Sequence, residues 1–232
     1  MTNKIKFIGY DSPTPVEEHV VPAVKSHPDW YTSMEKTTTT EKWGKMPTVK
    51  SCTPFFDAMS AGYVYITPCD IEFYMENGRP RAKVLDDRFP EFIGEREAFH
   101  ATQFTQVKNH HGPHFHWYPL WAPKVPDGYS VLYTQPLNRY ELPFLTTNGI
   151  IDNDQFAVPG NMPFFLNRGF VGVLPKGTPF AQLIPIKRES WKHESENLDP
   201  EARKQIYAES SDKYRQGIGV YRKGDWEVKH YK

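Results

Sequence analysis

Between Trp117 and Ile186 the apolar residues come in short runs interrupted by Pro119, Pro123, Pro126, Pro136, Pro143, Pro159, Pro163, Pro175 and Pro179. Each proline fixes φ, lacks an N–H donor and pushes the preceding residue out of the helical region. The stretches between them leave room for strands and not for helices. A β-sheet core is expected here, with residues 169–174 and 180–184 as its clearest strands. Aromatic residues make up 15% of the 232 residues while aliphatic content is modest. Rings that each cover roughly 150–250 Å² are therefore expected to supply much of the buried area.

Lysine plus arginine and aspartate plus glutamate both number 28, and no run of five like charges occurs. Such a balanced chain lacks the basic footprint needed for duplex nucleic acid or an anionic membrane surface, so neither is an expected partner. The two cysteines, Cys52 and Cys69, form neither a secreted disulfide framework nor a metal-knuckle spacing, which points to a reduced setting. No stretch approaches the ~18 apolar residues of a membrane span, and no apolar leader opens the sequence. A soluble, untargeted protein of one main domain is the expectation.

The flanks read differently. Residues 1–50 are expected to form an extended N-terminal arm, with a short strand at 5–8 and an extended backbone enforced by Pro13, Pro15, Pro22 and Pro28. The arm ends at the rings of Trp30 and Tyr31 and runs into a polar loop at Thr37–Thr40. Residues 51–75 read as strand-rich. The Asn77-Gly78 pair tolerates positive φ, which predicts a hairpin between 71–75 and 81–85 with Pro80 on an edge strand. Toward the C-terminus, Asp199-Pro200-Glu201 supplies an N-cap, a first-turn proline and an acidic first turn, with Gly217 and Gly219 as a stop. A helix over 200–215 follows, whose stripe of Ala202, Ile206, Tyr207, Ser210 and Tyr214 is expected to dock on the sheet. The resulting division is an arm at 1–50, a β-rich core at 51–187 and a C-terminal helix and tail at 188–232.

Two segments of this core carry a resemblance to known chemistry. Gly149-Ile150-Ile151-Asp152-Asn153-Asp154, followed by Gly177-Thr178-Pro179-Phe180-Ala181-Gln182-Leu183-Ile184, resembles the core of the dUTPase and dCTP-deaminase fold. The implied fold class is mostly β. It comprises a dUTPase-like β-clip or β-sandwich core at about 115–187, an N-terminal hairpin layer and one C-terminal α-helix. In that family the first aspartate of the hairpin activates the attacking water and a tyrosine packs on the deoxyribose. Asp152 stands at the first aspartate position and Asp154 at the second, while Gln155 replaces the tyrosine. The family's phosphate-binding turn would fall at Thr134-Gln135-Pro136-Leu137-Asn138-Arg139, where a proline replaces a backbone donor and Arg139 alone is left to meet a phosphate. The glycine-rich C-terminal motif has no counterpart. Arg139, Asp152, Asp154 and Gln155 are thus the ligand-binding candidates, with Asp152 the catalytic base of an enzymatic alternative using Mg²⁺. The favoured reading is a hairpin whose aspartates cap turns, with no catalytic residue.

A second constellation is His110, His111, His114 and His116, with His100 upstream. On a strand His114 and His116 share a face, as in the His-x-His pair of cupin-type metal sites, and Glu141 and His193 would complete the set. The favoured reading assigns no metal and no cofactor, the cluster being a set of loop imidazoles. The aromatic series Phe115, Trp117, Tyr118, Trp121 and Tyr129 is read as core packing ahead of a ligand groove.

Over nearly its whole length the chain resembles a family found mainly in tailed bacteriophages and their bacterial relatives. The carrying motifs include Pro54-Phe55-Phe56-Asp57-Ala58-Met59-Ser60-Ala61-Gly62-Tyr63, Ala122-Pro123-Lys124-Val125-Pro126-Asp127-Gly128-Tyr129-Ser130, Gln135-Pro136-Leu137-Asn138-Arg139 and Lys187-Arg188-Glu189-Ser190-Trp191-Lys192. The resemblance implies a phage origin. For a phage product with no visible active site the expectation is a non-enzymatic, binding or structural role in the host cytoplasm, with a place in the virion as one form of that role. The chain's expected partners are other copies of itself or other phage proteins.

Overall fold

The computed structural model describes residues 3–97, 102–112, 114–215, 220–224 and 226–232. Strand outweighs helix, 33% against 17%, so the protein is mostly β. Its strands in chain order are β1 (Lys6–Gly9), β2 (Val20–Pro22), β3 (Thr37–Thr40), β4 (Gly44–Pro47), β5 (Tyr63–Ile66), β6 (Ile71–Glu76), β7 (Arg79–Val84) and β8 (Ile93–Glu95). They continue with β9 (Phe115–Trp117), β10 (Trp121–Lys124), β11 (Tyr129–Thr134), β12 (Phe144–Thr146), β13 (Gly149–Ile151), β14 (Met162–Leu166), β15 (Gly172–Leu174) and β16 (Pro179–Lys187). The chain forms two compact units. One takes Met1–Ser26, Ala61–Arg188 and Tyr231; the other takes His27–Ser60, Glu189–His230 and Lys232.

The first unit holds the sheets that matter for the site. A five-stranded sheet runs β13-β11-β16-β5-β2, a four-stranded one β12-β14-β9-β8, and a three-stranded one β15-β6-β7. Strand β16 is the longest at nine residues and lies between β11 and β5. Its Pro185 falls beyond the last β5 pair, Leu183 with Tyr63, where a missing N–H removes no bond to that neighbour. At Gly62 the backbone takes φ +68°, and a Cβ there would lie 1.9 Å from the Leu183 carbonyl oxygen. Only glycine allows β5 to approach β16 so closely.

Aromatic rings fill this unit, as the composition implied. Trp117, Trp121, Tyr65, Phe73, Phe92, Phe115, Phe164 and Phe180 are all essentially inaccessible to solvent. Trp117 stacks on Phe164 with centroids 4.1 Å apart, and Phe115 also stacks on Phe164, at 5.5 Å. The alternation of β9 explains the arrangement. Phe115 and Trp117 point inward while His116, between them, is only half-buried. The reading of the aromatic series as core therefore holds for these rings, with Tyr118 exposed at 38%.

The hairpin forms as the Asn-Gly pair requires. Asn77 and Gly78 adopt φ of 50° and 75°, β6 pairs with β7 from Ile71 opposite Val84 to Glu76 opposite Arg79, and Pro80 sits on the sheet's edge strand. Elsewhere the structure corrects the sequence reading. The strand expected at 169–174 is confined to β15, because Asn167 turns the chain by accepting the Gly169 and Phe170 N–H groups. Within residues 3–26 the short strand expected at 5–8 forms as β1 and pairs with β10, and β2 pairs with β5.

In the second unit, Thr37–Thr40 is not a loop but β3, paired with β4, as a β-branched run favours. Residues 53–60, read within a strand-rich stretch, form an α-helix, Thr53–Ser60. Pro54 falls in its first turn, where a missing N–H is harmless. The helix Pro200–Arg215 has the expected bounds, with Asp199 Oδ1 accepting the Glu201 and Ala202 N–H groups at 2.9 Å each. Two residues of its stripe are exposed, Ile206 at 48% and Tyr207 at 69%. The expected stop at Gly217 and Gly219 lies outside the described residues.

Candidate functional site

Strand register builds a compact polar cluster at one end of the five-stranded sheet. Strand β13 pairs with β11 so that Val131 faces Ile151, which sets Ser130 beside Asp152. On the other side of β11, Tyr129 faces Lys187, and the next residue, Arg188, donates its N–H to the Gly128 carbonyl. Gly128 itself turns with φ 81°. The sequence thus delivers Ser130, Asp152, Asp154 and Arg188 to one place from three neighbouring strands.

Asp154 is the centre of it, with its side chain only 1% exposed. Its carboxylate takes both guanidinium arms of Arg188, with Nη1 donating to Oδ1 at 2.9 Å and Nη2 donating to Oδ2. Oδ2 also accepts the Gly128 N–H at 2.9 Å. The Lys124 ammonium holds the Asp154 main-chain oxygen at 2.5 Å. This bidentate, charge-assisted pairing holds the Asp154 carboxyl far below the usual carboxylate range, with the Arg188 hydrogen bonds as the main cause and the Gly128 N–H assisting.

Asp152 is bound more loosely. Its Oδ1 accepts the Ser130 hydroxyl at 2.6 Å and lies 3.3 Å from Arg188 Nη1, while its side chain is 60% exposed. Its carbonyl accepts the N–H groups of Gln155 and Phe156 at 2.9 Å each, so the residue closes a turn. Between the two aspartates, Asn153 is fully buried, donating to the Phe156 carbonyl and accepting the Tyr133 hydroxyl. Arg188, Ser130 and Asn153 were absent from the sequence-derived candidates. In the sequence Arg188 stands only in the motif Lys187-Arg188-Glu189-Ser190-Trp191-Lys192, with nothing there that ties it to Asp154.

Arg139 is not part of this cluster. It follows β11, whereas Asp152 lies beside Ser130 near the strand's start; the four residues from Ser130 to Thr134 alone span about 13 Å. Its guanidinium is engaged with the Glu141 carboxylate and with the Ser26 carbonyl at 2.8 Å. Gln155 is exposed. The structure therefore brings Asp152 and Asp154 together but sets Arg139 apart, so the four ligand-binding candidates do not converge.

The histidines do not converge either. Among the described residues no group of three His, Cys, Asp or Glu side chains is placed to hold a metal ion. Glu141 is paired with Arg139, His193 bonds the Ser195 hydroxyl at 2.8 Å, and His100 lies outside the described residues. His110 Nδ1 meets the Lys108 carbonyl at 2.9 Å. The His116 ring covers Gly94, where a Cβ would sit 2.4 Å from it. Burial lowers the pKa of His111, His114 and His116, with Arg168, Arg79 and Arg96 respectively adding to the effect. The direction favours the neutral imidazole in all three.

Around Arg139, a cavity of about 770 Å³ opens between the loop after β11 and the turn joining β12 to β13. Aromatic Phe104, Phe144 and Phe165 line it together with Gln135, Asn148 and Tyr140.

No family model matches the chain, and no curated protein does. Among solved structures the chain is similar to one titled as native EIAV dUTPase, at 12% identity and a TM-score of 0.34, covering 84% of this chain and 97% of that one. A likeness of that size assigns neither activity nor ligand.

Proposed function

We propose that the chain is a non-enzymatic protein with a binding or structural role, in which the acidic hairpin serves as a clasp. The observation that carries this reading is the two-armed grip of Arg188 on Asp154, with Asp152 3.3 Å from the same guanidinium. The guanidinium takes both Asp154 oxygens and lies 3.3 Å from Asp152, so the carboxylates are neutralised within the fold rather than left to attract a metal-bridged phosphate. Pro136 removes a backbone donor from the turn beside Arg139, and Glu141 neutralises that arginine. What remains is a base without a phosphate-gripping partner.

The phage setting rests on the motif resemblance, with the host cytoplasm and the assembled particle as the sites of action. Self-association has support at the edge strand β13, where Ile150 is 62% exposed. Open edges carrying apolar residues are templates for pairing. Among the described residues no helix is long and apolar enough to cross a membrane.

The expected result with purified protein, Mg²⁺ and dUTP, dCTP or other deoxynucleotides is no hydrolysis and no deamination. Turnover that disappears in Asp152→Asn would overturn the proposal. For the structural role, mass spectrometry of purified particles of the encoding phage is expected to find the polypeptide at tens of copies or more, and its absence would count against virion assembly.

A further inference from the structure

The cavity at the far end of β11 has a lining whose chemistry selects a ligand class. Its volume of about 770 Å³ falls within the range usual for small-molecule sites, roughly 300–1,000 Å³. Its floor is apolar: Phe144 and Phe165 are 2% and 5% exposed. The Tyr140 ring stands at the rim, 86% exposed.

The polar groups above that floor are held in place by the fold. Gln135 is fixed at both ends of its amide, donating to the Phe144 carbonyl at 3.3 Å and accepting the Thr146 N–H at 2.7 Å. Asn148 spends its side-chain oxygen on the Thr134 hydroxyl at 2.7 Å and the Gln135 N–H at 3.2 Å, which leaves its NH₂ group to donate outward. Thr147 donates its hydroxyl to the Pro163 carbonyl at 2.9 Å and keeps its oxygen lone pairs as acceptors.

Charge narrows the choice further. An anion would find Arg139 already paired with Glu141 and a proline where a backbone donor should be. A cation would meet the arginine. A neutral ligand that both donates and accepts, with a flat apolar face for the Tyr140 or Phe104 ring, satisfies every group. We propose that this cavity is a carbohydrate site, taking an uncharged hydroxyl-rich ring such as one unit of a neutral glycan. The proposal does not depend on the clasp: deoxynucleotide turnover would defeat the clasp reading and leave this one standing.

Saturation-transfer NMR on the full chain with glucose, galactose and N-acetylglucosamine, each at about 10 mM, tests it, because single sugar rings bind with affinities on the order of millimolar. Transfer to at least one of the three is expected. Tyr140→Ala removes an exposed ring together with its hydroxyl's bond to Asn138 Oδ1 at 3.2 Å, and Asn148→Asp keeps the accepting oxygen while replacing the donor. At least one of them is expected to weaken binding by about tenfold or more, with the thermal midpoint of both unchanged. No transfer from any of the three sugars would overturn the proposal. So would binding indifferent to both variants, or inorganic phosphate displacing the sugar at equal concentration, which would make Arg139 an anion receptor instead.

Discussion

Trp117→Ala is expected to lower the unfolding free energy by about 4 kcal/mol, read as a fall in the urea midpoint with the slope unchanged. The ring is inaccessible to solvent, stacks on Phe164 at 4.1 Å and meets Phe144 and Phe180 at 5.1 Å each. Its removal strips contacts from three rings at once, and such a packed aromatic wall cannot collapse far to refill the space. The indole also donates to the Thr146 hydroxyl at 3.0 Å, and that hydroxyl donates to the Phe180 carbonyl at 2.7 Å. Trp117→Phe keeps a stacked ring and loses this donor, so a smaller fall is expected. A midpoint equal to that of the alanine variant would show that the indole N–H, not the stacking, carries the site.

Arg188→Leu is expected to destabilise the protein strongly at pH 7 and hardly at all in acid. The variant leaves the Asp154 carboxylate inside the fold with the Gly128 N–H and without its guanidinium partner, Lys124 being held on the main-chain oxygen instead, and a buried charge stripped of its partner is among the costliest single changes. The pH dependence follows from the direction of the shift. Arg188 lowers the Asp154 pKa in the folded protein, so the clasp's contribution is whole above the unfolded aspartate value of about 3.9 and is lost as pH falls toward the folded one. Thermal midpoints of the wild type and variant are therefore expected to lie far apart at neutral pH and to converge below about pH 4. A constant gap across that range would mean that Arg188 stabilises by packing alone.

Local signals made part of this fold legible. Asn77-Gly78 announces a turn with two positive φ angles, and Asp199-Pro200-Glu201 announces a helix start, because each depends only on neighbouring residues. The helix Thr53–Ser60 falls inside the stretch 51–75, read as strand-rich, although its first-turn Pro54 is compatible with a helix start. The strand Thr37–Thr40 was missed because its polarity suggested a loop while its β-branching fitted a pairing with Gly44–Pro47. The acidic hairpin was visible as a motif. Its partner was not, since Arg188 lies 34 residues beyond Asp154 and arrives there only through the pairing of β11 with β16. Register of that kind is a property of the assembled sheet.

The most direct test of the clasp is a double-mutant cycle of Asp154→Asn, Arg188→Leu and the pair together, by chemical denaturation at pH 7. If the hairpin is locked by this ion pair, each single change destabilises and the double variant loses clearly less than the sum of the two, because the second change removes a partner already left idle. Strict additivity would contradict the clasp and return both side chains to independent roles.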